Sequence, residues 1–307
     1  MIVAGQASAM IRQCTGCGAS SWFDGPALST ACSYCDSPMV DEARAATAFH
    51  SIVPFRVPER AALDALRAYL DGRRFAPREL RDLRLRRRGL RGVLVPFWVY
   101  EGVVRSEYRA KVGVYWYREE SYKDPNGTTK TRRVRETEWF PLRGSAARQV
   151  EDHVVSASVG LPEREANALG PFDLGWATRY DPRLLSGFEA ELPTIDEIDA
   201  EHTARDELRD AEAFRIQREL LPGDTNRVDW ISSEIDVKSR RLVLLPVWIA
   251  TARHGERVVR LVVNGQTGRV VGRVPVSKQK VAALVLAILT LVGVVALLGR
   301  WLGAWAG

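Results

Sequence analysis

The alternation of apolar and polar positions divides this chain into three kinds of segment. Strand-like runs dominate: residues 50–55 read as a short strand, GVLVPFWVYE over 92–101 as a buried one, and VDWISSEIDV, RLVLLPVWIATA, ERVVRLVVN and GRVVGRVPV over 228–276 as an antiparallel meander. Between them, YRAKVGVYWYREESY and TKTRRVRETEWF flank Asp124-Pro125-Asn126-Gly127, the pattern of a long hairpin. The helical pattern is sparser. PERAALDALRAYLDG opens on Pro58, carries Ala62, Leu63, Leu66, Ala68, Tyr69 and Leu70 on a mainly apolar face and stops at Gly72, while PRELRDLRL starts a second short helix at Pro77. A charged helix follows Pro193, with Thr194 and Glu197 at capping-box spacing, and extends to Leu221 with a thin apolar stripe that includes Ile198, Leu208 and Ala211.

The third kind of segment is uniform. Residues 281–298, VAALVLAILTLVGVVALL, hold no charge and one polar side chain, Thr290. In a helix they rise about 27 Å, close to the hydrocarbon thickness of a bilayer, and no polar stripe marks them as a core helix. The expectation is one C-terminal transmembrane helix over 280–300. Arg269, Arg273, Lys278 and Lys280 precede the run and Arg300 follows it, which places the body in the cytoplasm and the C-terminus outside, with Trp301 and Trp305 at the far interface. Gly299, Gly303 and Gly307 have helix-packing spacing at the fraying end of the span. No signal-peptide pattern opens the chain. The expected localisation is a single-pass protein of the inner, cytoplasmic membrane, tail-anchored.

The chemistry is concentrated at the other end. All four cysteines fall in two CxxC pairs, Cys14/Cys17 and Cys32/Cys35, 14 residues apart. Two such turns point four sulfurs at one centre, completing a tetrahedron with Zn–S distances of about 2.3 Å. Disulfides compete with this reading and are disfavoured in a cytoplasmic body; a thioredoxin-like site needs one CxxC in a βαβ unit. The expected metal is therefore one structural Zn2+ per chain, with no open position for catalysis. Gly18 follows the first pair, where a tight turn suits glycine, and Asp36 holds the equivalent place after the second. His50, His153, His202 and His254 are scattered singly and read as structural.

With 46% hydrophobic and 27% charged residues, the 307-residue chain is an ordinary folded protein. Its organisation reads as a zinc ribbon over 11–41, a first α+β region with the hairpin over 49–190, a helix plus meander over 191–276, and the anchor. The fold class is thus α+β with an antiparallel-sheet-rich body. The echo between VPFWV at 95–99 and LPVWI at 245–249 points to two related units, against chance resemblance of apolar strands. The net charge of +6 is concentrated in residues 78–91, where seven Arg meet only Glu79 and Asp82. A solvated helix end, anionic phospholipid and nucleic-acid phosphate all fit that run. The aromatics lie in apolar strands beyond it and read as core, which weakens a base-stacking platform. No phosphate loop, GxGxxG, HExxH or GxSxG motif is present, so no catalytic residue is assigned and no enzyme activity is expected.

Taken together, the CxxC pairs, PFRVPERAALDALRAYL, VPFWVYEG, GPFDLGWATRYDPRLLSGFEAE, LLPVWIATAR, VVNGQTGRVVGRVPVS and the apolar tail resemble a bacterial family of membrane-anchored proteins with a TFIIB-type zinc ribbon. The resemblance implies Cys14, Cys17, Cys32 and Cys35 as zinc ligands. It also implies a non-enzymatic adaptor that recruits proteins to the cytoplasmic face of the membrane, beside phage-shock-protein-A-like (ESCRT-III-like) or SPFH-type partners in envelope stress. Some relatives carry a primosomal-helicase label, which the missing phosphate loop contradicts here. Asp36 departs from the family pattern, where a second glycine is common. The alternative function is a membrane-tethered nucleic-acid-binding protein that uses the ribbon and the 78–91 run.

Overall fold

The structure, a computed structural model, describes residues 10–13, 20–23, 27–31, 37–40, 49–77, 90–185, 188–254, 257–277, 280, 282 and 284–294. In chain order the strands are β1 (Met10–Gln13), β2 (Ser20–Phe23), β3 (Ala27–Ala31), β4 (Pro38–Val40), β5 (Ser51–Ile52), β6 (Leu90–Lys123), β7 (Thr129–Ser156), β8 (Thr178–Arg179), β9 (Glu189–Glu191), β10 (Thr225–His254), β11 (Arg257–Asn264) and β12 (Val270–Gly272). The helices include α1 (Glu59–Asp71), α2 (Glu163–Leu169) and α3 (Glu197–Arg215), the last continuing into a π-helical turn over Ile216–Leu220. One small sheet pairs β1 with β2; a ten-stranded sheet runs β12-β11-β10-β6-β9-β3-β4, with β7 on β6, β5 on β10 and β8 on β5.

The chain divides into two compact units, and both draw on separate stretches of sequence. The first takes residues of Met1–Pro96, Ser158–Thr194 and Val243–Gly307. Its centre is Leu28, Ile52, Leu94, Leu185, Ala190 and Leu244, each fully or almost fully buried. Helix α1 adds Ala62, Leu66 and Leu70, at the four-residue spacing that aligns side chains on one helix face, against Leu90, Trp248, Leu261 and Val263. Each buried Leu here contributes on the order of 1.5–3 kcal/mol. Asn264, wholly buried, closes the hairpin between β11 and β12. Its Oδ1 accepts from the N–H of Gln266 and of Thr267, and its Nδ2 donates to the carbonyls of Leu169 and Pro171.

The second unit takes Phe97–Ala157 and Ile195–Leu242. Ala200, Ala204, Leu208 and Glu212 recur every four residues on α3 and form its buried stripe. They cover the face of β6 that carries Tyr100 and Val104, and the π turn adds Ile216 against Tyr108, Ala110 and Val112. Asp196, not Thr194, caps α3, accepting from the Asp199 N–H at 2.9 Å; the Thr194 hydroxyl instead accepts from Val159 N–H. Burial pushes the Tyr100 hydroxyl pKa upward, with Glu201 and Glu197 adding to the shift, and that hydroxyl donates to the Glu197 carbonyl.

The expected fold needs three corrections. First, the sheet is mixed: β10–β11 and β11–β12 pair antiparallel, but β6 and β9 run parallel, as do β10 and β5. The strands read separately at 92–101 and 108–122 are one strand, and the compact units are not successive repeats. Second, the described residues show no independent zinc ribbon: β3 pairs with β9 and so extends the large sheet. Among the described residues no group of His, Cys, Asp and Glu is placed to hold a metal ion, and Cys14, Cys17, Cys32 and Cys35 lie outside them. Third, no helix among the described residues is long and apolar enough to cross a membrane. The single-pass, tail-anchored inner-membrane placement therefore has no spanning helix among the described residues to carry it.

Candidate functional site

Side-chain alternation along β6 and β7 creates the most distinctive surface of the second unit. Val104, Ser106, Tyr108, Ala110 and Val112 point to the helix-covered side and are buried, while Arg105, Glu107, Arg109 and Lys111 between them are exposed. The strands stay paired in unbroken register from Gly102↔Val150 to Lys123↔Thr129. Support from β10 begins only at Thr225: Asp224 N–H donates to the Gly113 carbonyl, and Asp224 Oδ2 accepts from Tyr115 N–H at 2.7 Å. Beyond that point, the pairs from Val114↔Glu138 to Lys123↔Thr129 have no third strand among the described residues. A two-stranded ribbon of about 30 Å results. Gly127, at φ +80°, and Asp124, whose Oδ1 accepts from Asn126 and Thr128 N–H, build the turn at its tip.

Opposed residues of an antiparallel pair share a face, so the ribbon has two distinct surfaces. One presents Val114, Trp116 and Phe140, each 44–47% exposed, followed by Arg118–Glu136, Arg132–Glu120 and Lys130–Asp124 ion pairs at 3.0, 2.8 and 2.9 Å. The hydrogen bond from Arg132 holds the Glu120 carboxyl below its usual range, and Lys130 does the same for Asp124. The opposite surface presents Tyr115, Tyr117 and Trp139. The Arg135 guanidinium lies 4.3 Å from the Tyr115 ring centre, and Arg133 lies 5.0 Å from that of Tyr117. The same open face continues down the unit, where Arg109 sits 5.5 Å from the Trp230 ring.

The expectation that the aromatics form core fails here. Tyr117, Trp116, Trp139, Phe140 and Trp230 are exposed because three consecutive aromatics, 115–117, must occupy both faces of a strand, and two strands cannot bury both. That run was the available signal.

The residues singled out in the sequence are not brought to this surface. The cysteines lie outside the described residues, although 14–19 fall between the paired strands β1 and β2 and 32–37 between β3 and β4. Residues 78–89 of the basic run also lie outside, and Arg91 makes an ion pair with Glu189 at 3.3 Å. The neighbouring acid and imidazole of Asp152-His153 part company: Asp152 takes Arg241 at 3.0 Å, and His153 faces Glu207 at 3.1 Å. Glu201 binds Arg205, so neither acid forms a couple with the adjacent histidine.

Comparison with known proteins gives one informative match. The chain is similar to the uncharacterized protein YdjG of Bacillus subtilis (strain 168), 26% identical over 237 residues, which is 76% of this chain and 65% of that protein. The match thus spans under two thirds of the relative's length. No family model and no solved structure matches.

Proposed function

We propose that this chain is a non-enzymatic adaptor that recruits a protein partner through the β6–β7 ribbon. The observation carrying this reading is the ribbon itself, where Val114, Trp116, Tyr117, Tyr122, Trp139 and Phe140 are 41–54% exposed on an element that, among the described residues, no helix or third strand covers. Clustered exposed aromatics mark interaction sites, and aromatic and Arg side chains dominate the energetic centres of interfaces. The family resemblance supplies the partner class: phage-shock-protein-A-like or SPFH-type proteins. One structural Zn2+ on Cys14, Cys17, Cys32 and Cys35 belongs to the same reading; the CxxC spacing supports it, as does the place of each pair between two paired strands.

The test is affinity purification of the intact chain from nuclease-treated lysate, beside a variant in which residues 116–136 are replaced by Asn-Gly. A stoichiometric protein retained by the first and lost from the second supports the adaptor. Equal retention by both refutes a role for the ribbon.

A further inference from the structure

We infer that the ribbon captures its partner by strand addition. An extended segment with alternating acidic and apolar side chains adds to the free edge of β7 over residues 129–140. The inference rests on the adaptor reading and names the chemistry of the partner.

Three observations converge on this occupant. The first is the edge. Strand β7 pairs with β6 alone among the described residues, so its other side offers a row of backbone donors and acceptors. Such rows template the addition of another strand unless blocked. Pro141, with no N–H, interrupts the row, which leaves residues 129–140 as its continuous distal part.

The second is charge. On the open face β7 carries Arg133, Arg135 and Arg143 between Thr129 and Gln149, with no acidic residue among its positions there. On β6 the same face carries Lys111 and Arg109 beside them, and also Glu119 opposite Arg133 and Glu107 opposite Ser145, so the cations remain in excess. Among the described residues no carboxylate lies in ion-pair range of Arg133, Arg135, Arg143, Arg109 or Lys111. The opposite face differs: Arg132, Lys130 and Glu136 already have ionic partners, Val134 and Phe140 stand beside Trp116 and Val114 as apolar ground, and Glu138, opposite Val114, is the remaining charge of β7 there. A strand laid along β7 thus meets cations on one side and mainly apolar or neutralised groups on the other. Alternating acidic and apolar residues match both.

The third observation separates this occupant from two others. A second copy of β7 would bring its own acid-free Arg face against Arg133 and Arg135, and like charges across a pair are unfavourable. Single-stranded nucleic acid needs free aromatic faces for base stacking. Here the rings of Tyr115, Tyr117 and Trp230 each already carry an Arg, which leaves Trp139 as a lone open ring on this face rather than a run of stacking platforms. The edges of those guanidinium groups remain available to carboxylates, their preferred planar acceptor.

The experiment measures fluorescence anisotropy of a fluorescein-labelled twelve-residue peptide of alternating Glu and Val titrated with the full chain. A Lys/Val peptide of equal length, two Glu/Val peptides N-methylated at alternate residues in opposite registers, and a dT12 oligonucleotide serve as comparators. Strand addition predicts binding of the Glu/Val peptide, none of the Lys/Val peptide, and loss of binding on N-methylation in one register only. Arg133→Ala with Arg135→Ala should weaken binding about twofold to thirtyfold, the range for two exposed ion pairs. An unchanged urea midpoint shows that the variant still folds. Equal affinity for both charge types, indifference to N-methylation in both registers, or tighter binding of dT12 overturns the inference. A partner that co-purifies through residues 116–136 while the Glu/Val peptide fails to bind also overturns strand addition, but leaves the adaptor reading intact. Loss of the adaptor reading shows separately, as co-purification that survives excision of the ribbon.

Discussion

Glu212→Gln tests whether a buried ion cluster fastens α3 to the strand that bears the ribbon. Glu212 has no exposed surface; its Oε1 accepts from Arg215 Nη2 at 2.6 Å, its Oε2 accepts from Arg215 Nε at 2.9 Å, and Arg148 Nε of β7 lies 3.3 Å away. Glutamine keeps the shape but removes the charge and turns an amide N–H₂ towards a guanidinium. Two charge-assisted hydrogen bonds are worth roughly 1.5–3 kcal/mol each. Arg215 and Arg148, 22% and 35% exposed, regain some water, so the net loss is about 3 kcal/mol. Urea titration at pH 7 should show the midpoint lowered by about 1 M or more. The pH dependence is the sharper readout. The hydrogen bond from Arg215 holds the Glu212 carboxyl below its ordinary value of 4.5, so its stabilisation is fully present above that value and is lost as pH falls through the depressed folded value. The variant lacks this titration. The gap between the two proteins should therefore stay constant from pH 7 to about pH 5 and close at more acid pH. No gap at pH 7, or one already closed at pH 6, would refute the reasoning.

The remaining predictions address other points of the fold. Asn264→Asp should cost about 3 kcal/mol, because a carboxylate keeps the bonds from Gln266 and Thr267 but turns unpaired negative charge on the carbonyls of Leu169 and Pro171. Its thermal midpoint should recover towards acid pH, the opposite trend to Glu212, since the protonated carboxyl donates again. Gly102→Ala should lose about 3 kcal/mol by chemical denaturation, because a Cβ there collides with the backbone carbonyl of Asp236 on the neighbouring strand. Elemental analysis of the purified chain should return about one zinc per chain, and Cys14→Ser should remove it; metal content unchanged in that variant would defeat the zinc assignment.

Local signals in the sequence carried most of the secondary structure. Pro58 and Gly72 bracket α1 because proline tolerates a helix start and glycine ends one, and Asp124 to Gly127 fix the ribbon turn through side-chain bonds and a positive φ. The spacing of Ala200, Ala204 and Leu208 likewise determines which face of α3 is covered. The paired cysteines state a coordination preference through spacing alone, because metal geometry is local.

Other features required the tertiary structure. The alternation along β6 gives two faces, but not which strand covers either one; α3 and β10 decide that by stopping near Gly113. Past that residue the same aromatic pattern changes from core to exposed surface. Parallel pairing of β6 with β9, and of β10 with β5, joins residues nearly 100 and 200 positions apart in sequence, where no short-range pattern specifies the partner. Asn264 opens the turn-forming run Asn-Gly-Gln-Thr-Gly in the sequence, but only the fold brings the carbonyls of Leu169 and Pro171 to its amide. Turns, caps and faces depend on neighbours a few residues away and are written in the chain, whereas burial and strand partnership depend on distant residues and are set only when the chain is folded.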